Sequence, residues 1–210
     1  MPIRVVLADD HILVRQGLKS LLEREKIQVI AEASDGQEVV RLAETHNPDI
    51  AVIDISMPIL NGIDAARELG RSCPKTKAIL LTQHEEDQYI REALQAGVKG
   101  YVLKNQAASD LMNAIQQVSK GQFYLSPGIS RAVMEAYRTK SDGPADPLTA
   151  RERQVLQLIA EGKSTKDAAS LLGISVKTAE SHRMRLMQKL DIHETASLVR
   201  YAVRRGLVQP

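Results

Sequence analysis

A chain of 210 residues with 43% apolar and 26% charged residues has an ordinary globular balance and room for two domains of common size. No run reaches the ~18 apolar residues of a membrane span, and Met1-Pro2-Ile3-Arg4 leads into a strand-like run rather than a signal peptide, so a cytoplasmic protein with no membrane partner is expected. The net charge of +2 is unevenly spread: residues 148–210 carry 11 Lys+Arg against 6 Asp+Glu and the remainder 17 against 20, which suits only the C-terminal third to a polyanion.

Residues 1–122 repeat one unit, a short β-branched run followed by a turn and a helical periodicity. The runs Ile3–Ala8, Ile27–Ala31, Ile50–Ile53, Ala78–Leu81 and Gly100–Leu103 alternate with spacings such as Val14, Leu18, Leu21, Leu22 and Ile90, Ala93, Leu94. Strands that are apolar throughout and separated by helices predict an α/β domain, a five-stranded parallel doubly wound (βα)5 sheet covered on both faces. Asp35, three residues before Glu38, has the spacing of a capping box variant at the second helix. The single cysteine, Cys73, cannot form an internal disulfide and reads as an ordinary free thiol.

Open α/β sheets bind ligands at the carboxyl ends of their strands. Here those ends hold Asp9 and Asp10, Asp54, Thr82 and Lys104. Each has a bland reading alone, as a helix cap or a solvent-facing cation; together they converge on one rim. Carboxylates held close repel one another, and a hard divalent cation relieves the repulsion. Magnesium suits such a site, with Asp10 and Asp54 as direct ligands, Asp9 acting through water and the Ser56 carbonyl as a third protein ligand. An Asp54 oxygen can attack phosphorus to give an acyl phosphate, with Lys104 facing the transferring oxygens.

After Gln122 the regularity falls. Ser126-Pro127-Gly128 precedes a short helical stretch, Ile129–Tyr137, and then TKSDGPADP at 139–147, which is rich in turn formers and reads as a linker. Residues 123–147 thus separate the first domain from a compact all-α unit at 148–210. Its first helix opens on a Thr149–Glu152 capping box, buries Val155, Leu156, Leu158 and Ile159, and ends at Gly162. A second, Thr165–Leu172, stops at Gly173; Ser175 caps a third that runs to Leu190, and a fourth spans about Glu194–Arg204. Two helices joined by a short Gly-containing turn form a helix-turn-helix, whose second helix enters the major groove.

On that helix Ala179, His182, Leu186 and Leu190 form an inward stripe, with His182 expected as a hydrogen-bonded packing residue rather than a metal ligand. Lys177, Thr178, Glu180, Ser181, Met184, Arg185 and Lys189 are left outside. A solvated charged face is the bland reading of this set. As a DNA face, Lys177 and Lys189 suit phosphates, with Lys163 and Ser164 assisting, while Glu180, Ser181 and Met184 lie where base edges come closest.

The motifs A-D-D-H at 8–11, D-I-S-M-P-x-x-N-G at 54–62, L-T at 81–82 and G-Y-V-L-K at 100–104 resemble the response-regulator receiver domain. That resemblance implies that Asp54 is the phosphoacceptor, that Thr82 turns toward the phosphate and that Tyr101 is an aromatic switch. Met57-Pro58 and Gly62 match the family's loop after the acceptor. L-T-A-R-E-R-Q-V-L-Q-L-I-A-E-G-K-S, followed by L-G-I-S-V-K-T-A-E-S-H and K-L, resembles the LuxR-type helix-turn-helix across 148–208. Departures are Thr165, Lys166-Asp167-Ala168 and Ala179, the two alanines falling where helices pack.

Jointly the two resemblances identify the chain as a member of the NarL/FixJ family. They imply a two-component regulator that takes a phosphoryl group from a sensor histidine kinase and binds double-stranded promoter DNA, with RNA polymerase a further candidate partner. Its only chemistry is magnesium-assisted phosphorylation and dephosphorylation of itself, its lifetime tuned at Ser56 and His84. A homodimer on phosphorylation or DNA binding is implied, paired in part through Leu198, Val199 and Ala202; inward packing of these three is the competing reading. A magnesium-dependent aspartyl phosphatase would need a second acidic residue that Asp54-Ile55-Ser56 lacks. A ligand-sensing LuxR regulator would need an aromatic pocket, yet the chain has no Trp and one Phe. A phosphorylation-independent factor is opposed by the intact rim.

Overall fold

The computed structural model describes residues 2–105, 108–127, 129 and 147–208, which fall into two compact units. The expected helical stretch Ile129–Tyr137 and the linker Thr139–Pro147 lie, apart from Ile129 and Pro147, outside the described residues.

The first unit alternates strand and helix: β1 (Arg4–Ala8), α1 (Ile12–Arg24), β2 (Gln28–Ala33), α2 (Gly36–His46), β3 (Ile50–Asp54), α3 (Gly62–Ser72), β4 (Lys77–Thr82), α4 (Asp87–Gln95), β5 (Gly100–Leu103) and α5 (Ala108–Ser119). A sixth strand, β6 (Tyr124–Leu125), follows; the sheet is parallel in every pairing, in the order β2-β1-β3-β4-β5-β6. The predicted architecture is present, with this short strand added at the β5 edge. β3 is buried at every position because each pleat meets a helix layer. Val5, Leu7, Ile50, Val52, Ile79, Leu81 and Val102 form one core with Leu22 of α1 and Leu111, Ile115 and Val118 of α5. Each fully buried Leu, Ile or Val contributes about 1.5–3 kcal/mol, which fixes the register against a one-residue slip.

Helix ends follow local chemistry. The Asp35 carboxylate accepts from the Glu38 amide at 2.8 Å, and Glu38 returns to Ser34 rather than to the cap residue itself, so half of the expected box is formed. Asn61 caps α3 by accepting from the Asp64 amide. Gly62 follows it of necessity: a Cβ there would stand 2.0 Å from the Asp54 carbonyl oxygen.

The second unit contains α6 (Ala150–Ala160), α7 (Thr165–Leu171), α8 (Val176–Leu190) and α9 (Thr195–Arg204). The Thr149–Glu152 capping box is present, and a second box, Ser164 with Asp167, opens α7. Gly162 and Gly173 end their helices at φ +80° and +63°, where a side chain is strained. Leu148, Val155, Leu156, Leu158, Ile159, Ala168, Leu172, Leu186, Leu198, Ala202 and Leu207 make the core. Ala168 and Ala179 are both fully buried, as expected for positions where α7 and α8 pack.

Leu198 and Ala202 are fully buried in this core. For these two the burial matches the competing reading, inward packing, whereas half-buried Val199 keeps surface to offer. His182 is half-buried, and its Nδ1 has no hydrogen-bond partner among the described residues, so the hydrogen bond expected of it is missing at that nitrogen.

Candidate functional sites: an acidic rim and a basic helix face

Parallel strands all end on the same side of a sheet, which is how residues 95 positions apart meet. Lys104, directly after β5, places Nζ 2.8 Å from Asp9 Oδ2 and 2.8 Å from Asp54 Oδ2. Asp9 and Asp54 are almost fully buried and Thr82 completely so. Burial pushes the Asp54 carboxyl above its ordinary range; the Lys104 ammonium opposes this, and the Asp9 and Asp10 carboxylates add to it. For Lys104, burial works to lower the pKa, but the Asp54 and Asp9 carboxylates outweigh it and hold the ammonium above its usual value.

Ligand atoms of Asp9, Asp10, His11 and Asp54 lie within 4.8 Å of one another, an oxygen-rich set consistent with a metal site. Two residues that sequence reasoning did not single out support it. His11 donates its amide to Asp9 Oδ1 at 2.8 Å and sets Nδ1 2.8 Å from Asp10. Arg15 on α1 donates to the Asp9 carbonyl at 2.5 Å and is held by Glu32.

On the β4 side, His84 is a junction. Its amide donates to Thr82 Oγ1 at 3.1 Å and its carbonyl accepts from the Tyr101 hydroxyl at 2.9 Å. The ring lies 3.1 Å from Ser56 Oγ and stacks on Tyr89 at 4.1 Å between centroids. Tyr101 is buried in the sheet, and burial raises its hydroxyl pKa far above the ordinary value. Thr82, Ser56 and Tyr101 are thus all brought to one place. The stacking partner Tyr89 had no signal in sequence beyond helical spacing.

In the second unit, Lys163, Ser164, Lys177, Thr178, Glu180, Met184, Arg185 and Lys189 are exposed and Ser181 is half-buried. Met184 is 69% exposed, unusual for an apolar residue with no folding role. Four of these residues have prior engagements: the Ser164 hydroxyl donates to Asp167 at 2.6 Å and Thr178 Oγ1 lies 2.8 Å from Ser175 Oγ. The Ser181 hydroxyl donates to the Lys177 carbonyl one turn back, and Lys189 Nζ lies 2.7 Å from Glu152 Oε2. Arg183 donates to Thr165 and to Thr195, both at 3.0 Å, tying α8 to the starts of α7 and α9 and so fixing the angle of the helix pair. Among the described residues no helix is long and apolar enough to cross a membrane.

The N-terminal arrangement matches the response regulator receiver domain over residues 5–116, and the C-terminal one matches the bacterial regulatory proteins of the luxR family over 146–202. The chain is similar to the transcriptional regulatory protein MctR of Rhizobium johnstonii, 39% identical across 98% of this chain and 95% of that protein. It is similar also to the response regulator UvrY of Escherichia coli, 36% identical across 98% and 95%. Among solved structures, RcsB of Salmonella enterica serovar Typhimurium bound to promoter rprA with the phosphomimetic BeF3- is 26% identical over 96% of this chain and 98% of that one, with a TM-score of 0.61. RcsB is known as well as two dimers bound to two parallel DNAs, at 28% identity over the same shares, with a TM-score of 0.61. With a receiver and a luxR-type unit matched in order and relatives aligned over nearly its whole length, the chain belongs to the NarL/FixJ family of response regulators, two-component transcription factors rather than catalytic enzymes.

Proposed function

We propose that Asp54 receives the phosphoryl group. The observation that carries the reading is the Lys104 ammonium bridging Asp9 and Asp54, with Thr82 buried beside them. A carboxylate oxygen of Asp54 attacks phosphorus, the bond to the donor breaks, and the donor leaves with the electron pair. On this reading the donor is the phosphorylated side chain of a sensor histidine kinase. Lys104 then turns from Asp9 toward the new phosphoryl oxygens, Thr82 donates to one of them, and Tyr101 follows. Mg2+ fits the oxygen-rich cluster, with Asp10, Asp54 and the Ser56 carbonyl as direct ligands and Asp9 acting through water. When bound it offsets charge on the transferring group. Ser56 and His84 tune the lifetime of the acyl phosphate from the mouth of the pocket.

The working division is a receiver domain at 1–122, a linker at 123–147 and a DNA-binding domain at 148–210, in a cytoplasmic regulator. α8 enters the major groove of promoter DNA, with Lys163, Ser164, Lys177, Thr178 and Arg185 on the backbone and Glu180, Ser181 and Met184 toward base edges. Lys189 serves phosphate less than its exposure implies, because Glu152 holds it. Phosphorylation shifts the population toward a homodimer with higher DNA affinity, in which Val199 is the one residue of the expected pairing set with surface to contribute. RNA polymerase is the partner at the promoter.

The test is to incubate the chain with acetyl phosphate and Mg2+ and map the modification. Label on Asp54, lost in Asp54→Asn, is the expected result. Label elsewhere, or undiminished in that variant, overturns the reading.

A further inference from the structure

β6 is a strand of two residues, too short to hold its place through ladder bonds alone. A dedicated polar clasp adds to its two ladder bonds. The Tyr124 amide donates to the Lys99 carbonyl and the Ser126 amide to the Tyr101 carbonyl, both at 3.0 Å. The Ser126 hydroxyl accepts from the Leu103 amide at 3.2 Å and donates to Asp110 Oδ2 at 2.7 Å. The other oxygen of Asp110 accepts from the Tyr124 hydroxyl at 2.6 Å. Ser126 is fully buried. Burial, with Asp110 adding to it, pushes the Tyr124 hydroxyl up to about 12, so that hydroxyl keeps the proton it donates through the neutral range.

A strand that only covered a sheet edge would need apolar contact and ladder bonds. Here the Ser126 amide and hydroxyl fasten it to two backbone groups of β5, the Tyr101 carbonyl and the Leu103 amide, and the Asp110 carboxylate holds the Ser126 and Tyr124 hydroxyls. The residue after Leu103 is Lys104, which bridges Asp9 and Asp54 and whose amide donates to the Thr82 carbonyl at 2.7 Å. Any change in the end of β5 as Lys104 leaves the carboxylates therefore reaches the Tyr101 carbonyl and the Leu103 amide, both of which Ser126 holds. From Ser126 the chain runs on in sequence toward the DNA-binding unit.

We propose that Ser126, clasped between β5 and the Asp110 carboxylate, is where the state of the phosphoacceptor pocket is passed into the segment that leads to the DNA-binding domain. This rests on Asp54 being the phosphoacceptor and on DNA affinity depending on its phosphorylation. Ser126 and Asp110 touch neither phosphate nor DNA; they are positioning residues.

The experiment uses the full chain as wild type, Ser126→Ala and Asp110→Asn. It reads the rate of Asp54 labelling by acetyl phosphate with Mg2+, and the ratio of phosphorylated to unphosphorylated affinity for a duplex obtained by binding-site selection. Labelling should stay within about twofold of wild type while the affinity ratio falls by about fivefold or more, the scale of a typical coupling energy. Variants that label normally and keep the wild-type ratio overturn the inference alone. A wild-type ratio of one, or label away from Asp54, overturns the underlying reading as well. Should a variant lose labelling through misfolding, hydrogen exchange at the Ser126 amide of the wild type decides. A change of about fivefold or more between the free and beryllofluoride-loaded protein is expected, and identical protection overturns the inference.

Discussion

Glu152→Gln tests folding and DNA binding with one substitution. Glu152 Oε2 accepts from the Thr149 amide at 2.8 Å and from Lys189 Nζ at 2.7 Å, with the Glu152 side chain 3% exposed and that of Lys189 38% exposed. Glutamine keeps the shape and an acceptor for Thr149 but gives up the charge. Because the cation is open to solvent, the ion pair is discounted to about 1 kcal/mol. Glu152→Ala also strips the acceptor from the cap amide, for a total of about 2–3 kcal/mol. Burial acts to raise the Glu152 pKa, but Lys189 and Thr149 outweigh it and the net direction is down. A carboxyl depressed by folding contributes stability above its unfolded pKa of about 4.3, and that contribution is lost as pH falls through the lower folded value. Wild type and Glu152→Gln should thus differ at neutral pH and converge in acid. Denaturant titration of the full chain, followed by hydrogen exchange in peptides from α6 and α8, reads this unit separately. The same substitution frees Lys189 for phosphate, so the plot of log affinity against log salt should steepen by about 0.9. Unchanged stability at neutral pH together with an unchanged salt slope would refute the reasoning.

On the reading face, Lys177→Ala should weaken all sequences about equally and lower the salt slope by about one unit, whereas Glu180→Ala should alter preference at one or two positions at about 1–3 kcal/mol per lost base contact. Binding-site selection on both variants checks the division, and reversed outcomes would exchange the roles. Gly62→Ala sets a methyl group against the Asp54 carbonyl and should cost the receiver about 3 kcal/mol, read by denaturation of the full chain, with slower labelling of Asp54. Since Asp54 has a raised pKa, protons should compete with Mg2+ at higher pH than at an ordinary aspartate. Calorimetric Mg2+ affinity should rise as pH climbs above the ordinary Asp range, and Asp54→Asn should flatten the profile.

The sheet and rim were readable because their signals are local. Val5-Val6, Ile50-Ala51-Val52-Ile53 and Ile79-Leu80-Leu81 announce buried parallel strands, and strand polarity alone brings Asp54 and Lys104 together. Strand ends differ by one or two residues, as at β2, where the expected run Ile27–Ala31 is Gln28–Ala33 because pairing with Leu7 and Ala8 extends it to Glu32 and Ala33. β6 was invisible because two residues carry no periodicity; its stability comes from Asp110, fourteen residues earlier. Lys189 looked free because periodicity reports which face a residue occupies, not which partner awaits it 37 residues away. Leu198 and Ala202 show the same ambiguity: helical spacing marks an apolar stripe without saying whether a core or a second chain covers it.

The two margins of the sheet bear on how copies of this protein can meet. An open margin offers unpaired amides and carbonyls, and a flat one templates strand addition by another chain. On one side β6 presents only two residues before the chain turns at Ser126-Pro127. On the other, the β1–β2 pairing shifts register between Val5 and Val6, an irregularity of the kind that bends and twists a strand out of plane. Among the described residues, then, one margin is short and the other irregular, and either feature makes a sheet edge a poor template for strand addition by another chain.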